Sequence, residues 1–160
     1  MRRVAYRRYP RLRHARRRFI WVVLLLAALP QLADATNGFA KADSPCAVWR
    51  IIDGDTISMR CGASFTSLRL ADIDTPELDA ACFGELWRAW AAKQRLRWAF
   101  LSARTIALPS DGPTDRYGRR LGAALVDGRP AAEQLIDAGL AVPYIPGDIP
   151  WCDRIERGRA

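Results

Sequence analysis

The first 35 residues constrain the fold most strongly, because they are unsuited to the core of a small globular domain. Nine arginines come first, followed by an unbroken apolar run at residues 19–29 and a single acidic residue, Asp34. A helix over that run rises about 17 Å, too little to cross a hydrocarbon core about 30 Å thick. The basic segment, the short apolar run and the small-residue motif Ala33-Asp34-Ala35 together indicate a signal peptide over residues 1–35.

Two alternatives for this segment stay open: an uncleaved anchor and a buried core helix. Cleavage would leave the domain periplasmic or secreted without stable membrane association, whereas an anchor would tether it through residues 19–29. The formal net charge of +8 lies entirely in this segment, because residues 36–160 contain 16 basic and 16 acidic residues. The basic balance is therefore no evidence that the exported domain binds nucleic acid.

The cysteines also indicate export, since all of them follow the proposed cleavage site: Cys46, Cys61, Cys82 and Cys152. An even count in an exported chain predicts two disulfides. The sequence contains no Cys-x-x-Cys motif, so it does not indicate a structural zinc site. If residues 46–61 form a hairpin turning at Asp53-Gly54, Cys46 and Cys61 face each other across it. We therefore favour Cys46–Cys61, which leaves Cys82–Cys152; the alternative is four buried free thiols.

The remaining residues, roughly 125, are enough for one core. Residues 36–46 are assigned to a leader, 47–152 to the domain and 153–160 to a tail. Apolar segments bounded by turn residues predict two strands joined by a tight turn within 48–59. Further strands are predicted at 65–73, 105–108 and 120–126, with helices at 85–103 and 130–139. This order predicts an α+β fold, a small closed barrel with attached helices. Prolines after residue 142 predict that a C-terminal helix is short or absent.

The helix at 85–103 carries an apolar stripe at spacings of three and four: Ala89, Ala92, Leu96, Ala99, Phe100 and Ala103. Three tryptophans, Trp87, Trp90 and Trp98, alternate with arginines around it. They form either a surface on which bases stack or part of the packing around the barrel, and we favour packing.

The chemistry available after residue 35 is limited, because the only histidine is His14. A Ser-His-Asp triad, a Cys-His dyad and histidine-based zinc chemistry are excluded. Hydrolysis in this domain would have to use carboxylates, arginines and a hard metal ion.

Two polar clusters offer those groups. In the first, Asp55 and Asp74 lie near the ends of predicted neighbouring strands, and two carboxylates with a backbone carbonyl suit calcium. The second is Asp115-Arg116-Tyr117-Gly118-Arg119, which bends at a glycine. Arginines with a divalent cation would neutralise charge at a reacting phosphate, and Glu77 could take a proton from water.

Together the clusters resemble the thermonuclease (staphylococcal-nuclease-like) family. The residues that carry the resemblance are Ile52-Asp53-Gly54-Asp55-Thr56, the segment 68–77 and Asp115-Arg116-Tyr117-Gly118-Arg119, with further matches at Asp127-Gly128 and at 135–141. It covers roughly residues 47–142. It implies a five-stranded OB-fold β-barrel and calcium-dependent hydrolysis of DNA or RNA, breaking the bond to the 5′ oxygen and leaving 3′-phosphate ends.

The resemblance also implies roles for single residues. Arg69 and Arg119 would stabilise the phosphorane and Glu77 would be the general base. Asp55, Asp74 and the Thr75 carbonyl would bind Ca²⁺, with Asp53 nearby, and Arg116 and Tyr117 would bind a terminal phosphate of the substrate.

The chain departs from the family near its end, where the third helix would begin. Tyr144 is one residue out of step with a base-stacking tyrosine and is not assigned to the site. The leading hypothesis is an exported nuclease that acts as a monomer, and the alternative is a non-catalytic OB-fold module that binds nucleic acid or protein.

Overall fold

The computed structural model describes residues 11–147 and 149–158. Its helices are α1 (Arg11–Ala40), α2 (Phe83–Ser102), α3 (Ala131–Asp137) and α4 (Trp151–Glu156). The longer strands are β1 (Cys46–Ile51), β2 (Thr56–Cys61) and β3 (Ser64–Leu70). The shorter ones are β4 (Ile73–Asp74), β5 (Ile106–Ala107), β6 (Arg120–Gly122), β7 (Leu125–Val126), β8 (Arg129–Pro130) and β9 (Val142–Pro143).

The main sheet has the strand order β1-β2-β3-β6, with β6 parallel to β3 and the other pairs antiparallel. Strand β2 alternates as a one-sided strand should, since Ile57 and Met59 are buried while Arg60 is exposed. The predicted hairpin is confirmed: Cys46 faces Cys61 in the β1–β2 register, and a disulfide joins them.

The other strands pair as β4-β9 and β5-β7-β8. The structure therefore confirms an α+β fold, but the five-stranded closed barrel is not confirmed, because the strands of the described residues divide into three separate sheets. Several of these strands are only two residues long, too short for a sequence pattern to say which neighbour they pair with.

The core lies where α2 meets the main sheet. The predicted stripe on α2 is buried, with Leu96 1% exposed, and it joins one apolar cluster with Ile57, Met59 and Leu68. The tryptophans do not pack as favoured: Trp87, Trp90 and Trp98 are 58%, 48% and 64% exposed. That interpretation is wrong because alanines, not tryptophans, occupy the face of α2 against the sheet.

The C-terminal segment is held by the second disulfide, Cys82–Cys152, in the predicted pairing. It joins the residue before α2 to α4, a helix of 6 residues, so the expectation of a short C-terminal helix is confirmed. Helix α4 crosses the predicted boundary between domain and tail.

Helix α1 continues past the apolar run and packs on the domain. Asp34 is 4% exposed, and its carboxylate accepts hydrogen bonds from Arg97 Nε at 2.8 Å and Nη2 at 3.0 Å. Asn37 Nδ2 donates to the Phe100 carbonyl at 2.7 Å, and Lys41 Nζ donates to that of Leu101 at 2.6 Å. The first residues of the predicted leader are thus packed against α2, and its boundaries stay a prediction.

We expect Asp34→Asn to lower the free energy of unfolding by about 3 kcal/mol, because removing one charge of a buried pair leaves the other without its partner. Arg97 would keep its hydrogen bond to the Gln94 side chain, 2.9 Å away, but would lose the opposing charge. Urea unfolding of the full chain in mild detergent measures the loss. Asp43→Asn, at an exposed aspartate, is the control; equal losses in both variants would contradict the prediction.

Candidate active site

A tight turn between β1 and β2 fixes the first carboxylate of the site. Asp53 Oδ1 accepts hydrogen bonds from the backbone N–H groups of Asp55 (3.0 Å) and Thr56 (2.6 Å), a local bond pattern that favours a turn over a longer strand. Gly54 lies against Thr75 and Ala92, so a Cβ there would come within 2.9 Å of Thr75 Oγ1. The turn is therefore packed directly against the segment that follows β4.

Arg69 brings the two predicted aspartate ligands together. It lies on β3 opposite Thr56 of β2, and its Nη1 donates to Asp55 Oδ1 at 2.9 Å. Its Nη2 donates to Asp74 Oδ1 at 3.0 Å. One guanidinium thus holds carboxylates from the β1–β2 turn and from β4, as expected from their placement at the ends of neighbouring strands.

Asp55 is the most buried charged group of the site, with 2% of its surface exposed. Burial, and after it the charge of Asp53, raise its pKa to about 7, although Arg69 opposes the rise. Asp55 Oδ2 lies 2.8 Å from Arg69 Nη1 but accepts no hydrogen bond. A buried carboxylate oxygen without a hydrogen bond is suited to a cation, so the residues present fit a calcium ion.

Asp74, Thr75 and Glu77 follow one another where β4 ends. Asp74 Oδ2 accepts a hydrogen bond from Trp151 Nε1 at 3.3 Å, and Thr75 is 2% exposed. Partial desolvation raises the pKa of the Glu77 carboxyl; Asp53 and Asp74 add to the rise, while Arg69 and Arg119 oppose it. Glu77 therefore lies within electrostatic reach of both arginines and of the aspartates.

The second cluster is a loop organised by Asp115. Its Oδ1 accepts from the N–H groups of Tyr117 and Arg119, both at 2.9 Å, and its Oδ2 accepts from Arg119 Nε at 2.7 Å. Gly118 has φ +76°, a conformation that glycine adopts without strain. Arg119 Nη1 lies 3.4 Å from Thr56 Oγ1, which itself donates to Asp55 Oδ1. The loop thus directs Arg119 toward the first cluster.

Arg116 and Tyr117 lie at the outer end of this loop. Tyr117 is 66% exposed, with the guanidinium carbons of Arg116 and Arg119 at 4.8 and 5.3 Å from its ring centroid. Cation–π contacts of this kind hold a ring and a guanidinium in one arrangement while both remain open to solvent.

An open cleft of about 1070 Å³ joins the two clusters. Among the residues that line it are Arg69, Asp74, Glu77, Arg116, Tyr117, Arg119 and Tyr144. Asp55 and Thr75 are buried, and Arg69 connects Asp55 to the cleft. The two disulfides are not part of its lining.

Sequence reasoning missed four contributors to this arrangement. The sequence identifies Asp115 only as part of a motif and does not assign Tyr144 to the site, although both line the cleft. Trp151 binds Asp74, and Glu85 accepts from the N–H of Glu77 at 3.4 Å. The one available signal was the Cys82–Cys152 pairing, which places residues beside those cysteines near each other.

An α+β domain whose cleft combines three arginines with neighbouring carboxylates is equipped to hold a phosphate together with a cation. The chain belongs to the staphylococcal nuclease family: the family described as "Staphylococcal nuclease homologue" matches residues 67–149. The resemblance seen in the sequence is thereby confirmed.

Two curated relatives align with much of the chain. Protein ParB of Escherichia coli is 38% identical over 112 residues, covering 70% of this chain and 58% of that protein. Micrococcal nuclease of Shigella flexneri is 34% identical over 100 residues, covering 62% of this chain and 48% of that protein. The chain thus spans about half the length of the relatives it matches.

Proposed function

We propose that this protein is an exported calcium-dependent nuclease that hydrolyses phosphodiester bonds of DNA or RNA and leaves 3′-phosphate ends. The observation that carries the proposal is the arrangement around Arg69. This arginine joins Asp55 and Asp74, while Arg119 reaches the same place through Thr56. Three acidic groups, Asp55, Asp74 and Glu77, lie near the two arginines that would bind the phosphate. A domain that only bound nucleic acid would not need acidic groups at that place.

The calcium site would consist of Asp55, Asp74 and the backbone carbonyl of Thr75, with Asp53 close by. All these ligands are oxygens, as calcium prefers, and the unsatisfied Asp55 Oδ2 supplies one of them. Calcium bound there would supply positive charge beside the reacting phosphate and polarise it. A cation would also stabilise the charged form of a carboxylate whose pKa burial raises.

Arg69 and Arg119 would hold the phosphate. Planar guanidinium groups bind phosphate oxygens through two parallel N–H bonds, and their charge stabilises the phosphorane as it forms. Both side chains are fixed before substrate arrives, Arg69 by two aspartates and Arg119 by Asp115. That preorganisation lowers the cost of orienting them during the reaction.

Glu77 would act as the general base. It would take a proton from the attacking water while the water oxygen bonds to phosphorus and the bond from phosphorus to the 5′ oxygen breaks. The leaving 5′ oxygen would take its proton from solvent. The backbone N–H of Glu77 donates a hydrogen bond to the Glu85 carboxylate, which fixes the start of the loop after β4.

Binding at the outer end of the cleft would involve Arg116 and Tyr117, on the terminal phosphate of a nucleotide. The arginine-rich segment, the apolar helix and the two disulfides support export to an oxidising compartment. Action as a monomer stays a prediction.

We expect the purified full chain, in mild detergent, to cleave single-stranded DNA or RNA with calcium, and the rate to fall at least about 100-fold with EGTA. Gel assays from about pH 7 to 10 measure cleavage, and end-labelling of the products identifies 3′-phosphates. Binding without cleavage at every pH would contradict the proposal and favour the non-catalytic module.

A further inference from the structure

We propose that α1 is retained as a membrane anchor and that the domain lies against the bilayer through an aromatic stripe on α2. The stripe consists of Phe83, Leu86 and Trp90, with Trp87 beside it. This replaces the cleavage predicted after Ala35. It depends on the packing of α1 and on exposed side chains, not on the proposed nuclease activity.

The first observation is that the domain uses residues that cleavage would remove. Cleavage after Ala35 would take away Asp34, the acidic partner of Arg97, whose side chain is only 12% exposed. Asp34 Oδ2 also accepts a hydrogen bond from the backbone N–H of Ile51, at 3.4 Å. The small-residue motif Ala40-Lys41-Ala42 offers a second cleavage site, and a cut after it would also remove Asn37 and Lys41 with their bonds to α2.

Gly38 shows how closely the retained helix packs. A Cβ at this position would lie 2.4 Å from the carbonyl oxygen of Val48, so only glycine allows this approach of α1 to β1. A cut after Ala42 would remove this fitted contact, whereas a cut after Ala35 would leave it in place. The end of α1 is therefore part of the folded domain.

The second observation is the exposed apolar surface at the other end of α1. Between Arg18 and Asp34 the helix carries no charge, and Phe19, Trp21, Leu25 and Leu26 are 69%, 70%, 63% and 59% exposed. Of the helices in the described part of the chain, this is the one long and apolar enough to cross a membrane, although a signal sequence passes the same test. The buried pair of Asp34 with Arg97, which cleavage after Ala35 would break, favours the anchor.

The uncharged stretch also predicts where the domain must lie. Its 15 residues rise about 22 Å, less than the roughly 30 Å of a hydrocarbon core. A short span is accommodated by arginines that extend to the interface and by drawing the attached domain close to the bilayer. Trp21, near the arginine end, suits the opposite interface, and the arginines place that end in the cytoplasm.

The third observation is that α2 presents apolar side chains on the same side as the membrane. The contacts pair Asp34 with Arg97 and Asn37 with Phe100, so the two helices run in the same sense through their contact. The N-terminal half of α2 therefore extends from this contact toward the same side of the domain as the apolar part of α1.

Phe83, Leu86, Trp90 and Arg97 recur at spacings that place them on one face of α2. The first three are 80%, 42% and 48% exposed, and Trp87 stacks on Trp90 with ring centroids 5.2 Å apart. Between residues 83 and 97 four side chains are basic and one, the buried Glu85, is acidic. Aromatic rings beside basic groups suit the anionic headgroup region of a bilayer.

The anchor is tested by expressing the full chain in an exporting bacterial host and fractionating the cells. We expect the protein in the membrane pellet, resistant to alkaline carbonate, with a mass that includes residues before Asp34. A soluble chain that begins at residue 36 or 43 would overturn the proposal. Neither result depends on whether the protein cleaves nucleic acid.

The stripe is tested in vesicles of anionic lipids with brominated acyl chains, which quench nearby tryptophans. We expect the double variant Trp87→Phe, Trp90→Phe to lose a quenched component that the control Trp98→Phe keeps. Trp98 is also exposed, but it lies about 12 Å further along α2 than Trp90, beside the contact with α1. Trp21 contributes equally in the wild type, the double variant and the control variant. Equal quenching in all three would overturn the orientation. Equal quenching with weakened single-stranded DNA binding in the double variant would assign the stripe to nucleic acid instead.

Discussion

Replacing Glu77 with glutamine is expected to lower the rate of nucleic-acid cleavage by about 100- to 10,000-fold, the usual contribution of a general base. Glutamine keeps the size and hydrogen-bonding oxygen of the side chain but cannot accept a proton from water. The backbone N–H of Glu77, which donates to Glu85, is unaffected, so the loop after β4 should keep its position. Initial rates with calcium at saturating substrate measure the effect.

The control for this experiment is Glu133→Gln. Glu133 lies on α3 with its side chain 58% exposed and pairs with Arg129, outside the lining of the cleft. We expect its rate to equal that of the wild type, and both variants to keep the wild-type midpoint of thermal unfolding. A Glu77→Gln protein that turns over at the wild-type rate would remove the general base from the proposed mechanism.

The sequence predicts the local elements best where chemistry at neighbouring residues fixes them. Asp53 caps its own turn through hydrogen bonds to the next residues, and the midpoint of Cys46 and Cys61 fixes the hairpin register. The placement of Asp55 and Asp74 together also followed from their positions at strand ends. In the first two cases a short segment contains all the information that its geometry requires, and in the third the chain passes through only the neighbouring strands β2 and β3 between the two residues.

The misses involve contacts between distant parts of the chain. Asp34 pairs with Arg97 across 63 residues, and Trp151 reaches Asp74 across 77. No local pattern specifies such partners, and the tryptophans of α2 were misjudged for a related reason. Hydrophobic residue type predicts burial only on average, whereas the helix face that meets the sheet decides it for each residue.

The two proposed phosphate-binding arginines should differ in what they contribute to stability. Arg69 pairs with Asp55 and Asp74 and is 15% exposed, so its replacement would disturb folding as well as catalysis. Arg119 is 26% exposed and pairs with Asp115, within its own loop. Arg119 is therefore the better position for separating chemistry from folding.

We expect Arg119→Lys to lower kcat by about 100- to 1,000-fold, the usual loss when one group that stabilises transition-state charge is removed. Lysine keeps the charge but loses the fork that binds Asp115 Oδ2 through Nε and approaches Thr56 through Nη1. Because the charge remains, KM should change much less than kcat. Steady-state kinetics with calcium separate the two constants.

Arg129→Lys is the matched control, because Arg129 is 55% exposed and pairs with Glu133 and Asp137 away from the cleft. It should change neither kcat nor KM. If Arg119→Lys raised KM and left kcat alone, Arg119 would bind the ground state and the transition state equally, and the charge that develops on the phosphate would have to be met by Arg69 and calcium. A fall in kcat alone would place Arg119 where the additional negative charge forms, beside the oxygens that become equatorial in the phosphorane.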